Sequence, residues 1–223
     1  AEMNDEATAM AQTYREGIIC EVYREKVFFG EKDPLIFGEP AEWIALIVEA
    51  LKSNAAGNHE QAAETRARAF ELAPSLSGKI NGEPFEWVAD ADMRLGPMLE
   101  IIVNGRYFWM PFTSIAKAKF EDPTDLRDAV WTPAEIKLAN GGDIVALIPT
   151  RYAGTVTNGT DAEKLARGTQ WTDLGSDTFA GVGQRLLTTD LGDTALMDVR
   201  LFEMDIEVPE PAPVEEQAHE DEG

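Results

Sequence analysis

Asp90 and Asp92 stand two residues apart in the stretch ADADMRLG, a D-x-D spacing that suits a carboxylate pair holding a divalent ion, and Asp125 with Asp128, three apart, offers a second pair. With 41 acids in 223 residues such spacings arise readily by chance, so capping and turn roles weigh more heavily. His59 and His219 are the only histidines, one in the polar part of an expected helix and one in an acidic tail, which leaves no parts for a His-based triad or metal cluster. Cys20 reads as a small buried residue rather than a reactive thiol. Gly181 and Gly183 lack the rest of a dinucleotide fingerprint and read as a bulge or bend in a strand. No cofactor is expected. Arg94, Arg106, Arg127, Arg151, Arg167 and Arg185 each lie near an aspartate, a glycine or an aromatic residue, the setting of charge-assisted hydrogen bonds that hold loops. The five tryptophans, Trp43, Trp87, Trp109, Trp131 and Trp171, read more as core than as binding platform, and among them Trp109 and Trp131, with Arg151, are the candidates for lining a pocket that takes a partner, a peptide or a small ligand.

The elements that must position these groups centre on residues 89–112. Residues 98–103 form a β-favouring run, Asn104 and Gly105 tolerate the positive φ of a type I′ turn, and 106–112 is rich in aromatics. Two strands joined by a tight turn are expected, the second ending at Pro111 or lying at a sheet edge. Upstream, Ala7, Met10, Tyr14, Ile18 and Val22 fall on one face of a helix over 5–29. Trp43, Ile44, Ile47, Val48 and Leu51 mark a second helix after Pro40, and an alanine-rich third helix runs from Asn58 to a stop at Pro74. The latter two make a helical hairpin resembling one degenerate tetratricopeptide unit, with no second copy at that period.

Beyond residue 76 the texture changes to short alternating runs punctuated by Gly, Pro and Asn. Strands are expected at 85–89 and 115–120, a second hairpin joins 134–138 to 144–148, a short helix lies within 161–167, and a last hairpin joins 178–188 to 195–204. The fold class is α+β: a tetratricopeptide-like helical region over 1–75, then a mostly β domain over 76–206, a barrel or strongly bent sheet. Residues 207–223 carry seven acids, no Lys or Arg, and Pro209, Pro211 and Pro213, and read as a disordered, solubilising tail.

A net charge of −22 argues against nucleic acid or anionic membrane as the main partner. No apolar run approaches the length that spans a bilayer, residues 1–10 lack the basic region of a signal peptide, and one cysteine fits a reducing compartment; the expected location is cytoplasmic.

In order along the chain, DADMRLGPMLEIIVNGRYFWMPF, LRDAVWTPAE, LIPTRY, and the stretch from Leu165 through Trp171 to Gly181, Gly183, Gln184 and Arg185 resemble the ImpE family, also called SciE or TagJ. The likeness runs from about residue 10 to residue 202. It implies a tetratricopeptide-like helical region followed by an α+β domain. It also implies a non-enzymatic accessory role in bacterial type VI secretion: binding a helical segment near the N-terminus of the small sheath subunit, and linking the sheath to the ATPase that disassembles it. Two other readings stay open on the residues alone: a metal-dependent hydrolase or transferase built on Asp90 and Asp92, and a small-ligand or peptide sensor built on Trp109, Trp131 and Arg151.

Overall fold

Asn104 and Gly105 take φ of 48° and 69°, the doubly positive pair that a type I′ turn demands, and the strands on either side pair in the register this turn sets. Val103 lies opposite Arg106, Ile101 opposite Phe108 and Glu100 opposite Trp109. The computed structural model describes residues 2–209, so most of the expected acidic tail, 210–223, lies outside the described residues.

The helical part comprises α1 (Glu2–Phe28), α2 (Glu42–Ala55) and α3 (His59–Leu72), with a two-residue strand β1 (Leu35–Ile36) after α1. Then come β2 (Gly78–Ile80), β3 (Glu83–Phe85), β4 (Val88–Asp90), β5 (Met98–Val103), β6 (Arg106–Pro111), β7 (Ile115–Phe120), β8 (Trp131–Leu138) and β9 (Asp143–Pro149). The short helices α4 (Thr155–Asn158) and α5 (Asp161–Lys164) lead to β10 (Thr169–Asp173), β11 (Phe179–Gly183), β12 (Leu186–Thr189), β13 (Gly192–Ala195) and β14 (Leu201–Met204). The class is α+β.

Nine strands form one sheet in the order β1-β6-β5-β9-β8-β7-β14-β2-β3, which has two ends and is therefore open rather than a closed barrel. Two small sheets, β10-β11 and β13-β12-β4, pack beside it. The expected last hairpin is replaced by a different pairing. β12 turns back on β13, while β11 pairs with β10 and β14 enters the main sheet between β7 and β2. These partners lie far away in sequence, so turn chemistry near residue 190 identifies only the β12–β13 part.

Every residue of β5 is buried, because the strand has a core on both faces. Leu99, Ile101 and Val103 join Met110, Phe112, Ile115 and Phe202 in the main core. Met98 and Ile102 face the helices with Tyr107 and Trp109, against Cys20 and Val27 of α1 and Trp43, Ile44 and Ile47 of α2. The hairpin of α2 and α3 closes through Gly57 at φ 81°, with Ala50, Ala62 and Ala69 buried.

The buried face of α1 differs from the expected one. Gly17, Cys20, Arg24 and Val27 point inward, whereas Ile18 is 59% exposed and Val22 52%. The cause is polar. The sheet offers a buried acid beneath α1, so the helix turns an arginine inward and leaves part of its apolar stripe outside.

Candidate functional site

Asp90 and Asp92 are both buried, and neither carboxylate is open to a metal. Asp90 is ion-paired with Arg185 and accepts the Asp92 backbone N–H at 2.8 Å. Asp92 accepts Arg94 through Nε at 2.9 Å and Nη2 at 2.5 Å, and its Oδ2 also takes the Gly181 N–H at 3.0 Å. Burial pushes the Asp90 carboxyl up to about 7, with the Arg185 guanidinium pulling the other way. No cluster of three or more His, Cys, Asp or Glu side chains is placed to hold a metal ion among the described residues. Asp125 pairs with Arg127, and Asp128 accepts the N–H groups of Thr124 and Asp125 at 2.6 and 2.9 Å, so this second pair shapes a turn. The carboxylates are structural anchors, which removes the geometric basis of the metal-dependent reading.

Three members of the buried network, Glu100, Arg24 and Tyr107, come from residues that sequence reasoning passed over. Glu100 sits at the middle of β5 with no exposure and accepts Arg24 Nε at 2.6 Å and Nη2 at 2.8 Å. It also pairs with Arg185 and accepts the Tyr107 hydroxyl, which in turn accepts the Trp109 indole N–H at 2.5 Å. Burial would raise the Glu100 carboxyl, but Arg24 and Arg185 outweigh it and bring it down to about 2. Arg24 Nη2 continues to the Arg151 carbonyl at 2.7 Å, and Arg185 Nε donates to the Pro149 carbonyl at 3.0 Å. One network therefore ties α1, β5 and the segment after β9. A lone acid inside the run MLEIIV was its visible signal, since a buried glutamate requires cationic partners.

Trp109 belongs to this interior. It is 0% exposed, so the expectation that it lines a partner pocket is corrected: its indole is spent in the core. Trp131 and Arg151 do come together, beside α1. They line a groove of about 270 Å³ with Ile18, Val22, Glu25 and Val156. The Trp131 indole donates to Glu21 at 3.0 Å and its ring stacks on Tyr14 at 6.3 Å. Gly17 lets the helix lie this close, because a Cβ there would sit 3.0 Å from the Trp131 ring. Arg151 is steadied by donating to the Lys164 carbonyl at 2.6 Å.

On the other side of Trp131 a second hollow of about 360 Å³ is lined by Met10, Tyr14, Arg127, Pro133 and Leu147. The two lie against successive parts of α1, 18–25 and 10–14, and Trp131, packed on Gly17 and Tyr14, stands between them, so the trough along the helix is interrupted there. The trough has an apolar floor with Glu21, Glu25, Arg127 and Arg151 around it.

The remaining motif residues are packing devices. A Cβ on Gly181 would lie 2.2 Å from the buried Tyr152 ring, and Gly183 holds φ 102°. Cys20 donates its thiol to the Gly105 carbonyl at 3.3 Å, and burial, with Glu21 and Glu16 nearby, pushes its pKa up to about 11. Such a thiol is not a nucleophile at neutral pH.

The family model described as ImpE protein matches residues 82–203, more than half of the chain. The chain belongs to the ImpE family. It is 52% identical over 206 residues to the type VI secretion system accessory component TagJ of Pseudomonas aeruginosa, covering 92% of this chain and 71% of that protein. The crystal structure of protein VPA1032 from Vibrio parahaemolyticus shares the fold, with a TM-score of 0.79 at 24% identity over 91% of this chain and 76% of the other. The ImpE match contains Asp90, Glu100, Trp131, Arg151 and Arg185, whereas Arg24 and the α1 side of the trough precede it.

Proposed function

We propose that this ImpE-family chain is a non-enzymatic accessory protein of type VI secretion that takes a helical protein segment into the trough along α1. The observation that carries the reading is the exposed apolar flank of α1, Ile18 and Val22, set beside Trp131 and the exposed Val156. An amphipathic helix lies on such a flank with its apolar face inward and its polar face in water. The buried acids, each neutralised by arginine or backbone N–H groups, support a role without catalysis. The partner proposed is the helical N-terminal segment of the small sheath subunit, and the role is to link the sheath, inside the cytoplasm, to the ATPase that disassembles it. Within this reading, the α2–α3 hairpin is one tetratricopeptide-like unit, and residues 1–75 form the helical region that presents α1 to the partner.

The test is fluorescence anisotropy with a labelled N-terminal peptide of the cognate small sheath subunit and a scrambled control. Saturable binding is expected for the native peptide. Ile18→Glu, on the exposed flank, is expected to weaken it by about tenfold or more while leaving the melting temperature in place. Binding unaffected by Ile18→Glu would move the site elsewhere, and no binding would remove the sheath-peptide proposal.

A further inference from the structure

The half of the outer sheet face that α1 leaves uncovered carries an unusual concentration of lysine. In register across four strands stand Lys79 on β2, Glu203 on β14, Lys117 on β7 and Lys137 on β8, with Asp143 next on β9. Lys119 and Glu135 form the adjacent row. Lys79, Lys117, Lys119 and Lys137 are four of the eight lysines in a chain of net charge −22; the others are Lys26, Lys32, Lys52 and Lys164. Lys117 and Lys137 lie directly opposite each other, a like-charge cross-strand pair that is unfavourable by itself. Glu203 and Asp143 each hold one of them at 2.9 Å, while Lys79 and Lys119 make no ion pair among the described residues. Lys117, Lys119, Lys137, Glu135, Asp143 and Val145 line a shallow groove of about 410 Å³.

The chain leaves the described structure at the border of this groove. Asp205 accepts the Ser77 hydroxyl at 2.6 Å and Ile206 packs on the main core, which fixes the exit direction. The Pro209 carbonyl then passes over the β8–β9 turn, 3.3 Å from where a Cβ on Gly141 would stand. Residues 210–223 follow, with six acids, Glu210, Glu215, Glu216, Glu220, Asp221 and Glu222, and no Lys or Arg. Fourteen residues reach up to roughly 45 Å, and crossing from β8 to β2 takes three strand spacings, roughly 15 Å. The face carries four lysines against the three acids Glu203, Glu135 and Asp143, an excess of positive charge on a molecule of net charge −22. On this face the carboxylates of 210–223 meet that excess at the high effective concentration of a tethered segment.

We propose that segment 210–223 docks within its own molecule on the lysine face of β2, β14, β7 and β8.

Carbodiimide cross-linking of the full chain, which joins lysine amines to carboxylates in direct contact, tests this by mass spectrometry. Mixing isotopically light and heavy protein separates links within one chain from links between chains. At low salt, links from 210–223 to Lys79, Lys117, Lys119 and Lys137 are expected to exceed those to the other four lysines by roughly fivefold, and this excess to fade in about 1 M salt, where charges are screened within about 3 Å. The double variant Lys117→Gln, Lys119→Gln is expected to lower the yield at Lys137 as well, because docking is shared across the face. An excess at Lys137 alone that ignores both salt and the double variant would show tethered proximity only and overturn the proposal. Even spread over all eight lysines would do the same, and mixed-isotope links would assign the face to a second copy instead.

Discussion

Arg24, Arg185, Glu100 and Asp90 share one buried space, and each charge there depends on the others. Glu100→Gln keeps the shape of the side chain but leaves Arg24 with only the partly exposed Glu21 at 3.2 Å and Arg185 with only Asp90 as acid partners, a loss expected to cost about 3–5 kcal/mol. Urea denaturation measures it; a loss below about 1 kcal/mol would show that water reaches the pair. The two acids carry opposite pH signatures. Glu100, lowered from its ordinary 4.5 to about 2, contributes stability that is present above about 4.5 and lost as pH falls through about 2. Asp90, raised from 3.8 to about 7, holds a proton more tightly folded than unfolded, so its contribution falls as pH climbs from about 4 to about 7. Melting curves across that interval are expected to show a smaller decline in Asp90→Asn than in the parent. An equal decline would place the titration on another group. Neither arginine partner of Glu100 could be named from sequence, because Arg24 is 76 residues away and Arg185 is 85.

Elements governed by local chemistry were legible. The β5–β6 hairpin follows from Asn104 and Gly105, and the α2 stripe from Trp43, Ile44, Ile47 and Leu51, because turn preference and helical period act over a few residues. The pairing of β11 with β10 and the insertion of β14 depend on the assembled sheet, and the inward face of α1 depends on an acid on another strand. The trough was half legible: Trp131 and Arg151 lie in it, but burial sends Trp109 to the opposite outcome. Gly105 joins element to element. A side chain there meets φ 69° and would place its Cβ 2.6 Å from the Glu16 carboxylate on α1, so Gly105→Val strains the turn and pushes on the helix together. A cost of about 1–3 kcal/mol is expected. Thermal melting should show a drop of several degrees for Gly105→Val and little change for Asn104→Gly, which retains the freedom the turn needs. Equal melting temperatures for Gly105→Val and the parent would mean that the turn relaxes without cost.

At the scale of the molecule, the helical part and the sheet are bonded into each other rather than placed side by side. β1 pairs in parallel with β6, α1 sends Arg24 to Glu100, Cys20 packs with Tyr107 and Trp109, and Trp131 reaches back to Glu21. An interface holding a buried ion network cannot open without exposing unpaired charge on both sides, so the two parts should unfold as one. Far-ultraviolet circular dichroism at 222 nm follows the helices, and tryptophan fluorescence follows the five indoles, of which Trp109 and Trp131 lie at the interface. Their denaturation midpoints are expected to coincide in the parent protein. In Arg24→Ala, α1 loses its charged anchor while Glu100 keeps Arg185 and Tyr107, so the helical signal should be lost at lower denaturant than the fluorescence signal. Separate midpoints already in the parent would show two units of independent stability. Coincidence retained in Arg24→Ala would show that Val27, Cys20 and the α2 contacts hold α1 without the ion pair, and that the buried arginine sets its rotation on the sheet rather than its attachment.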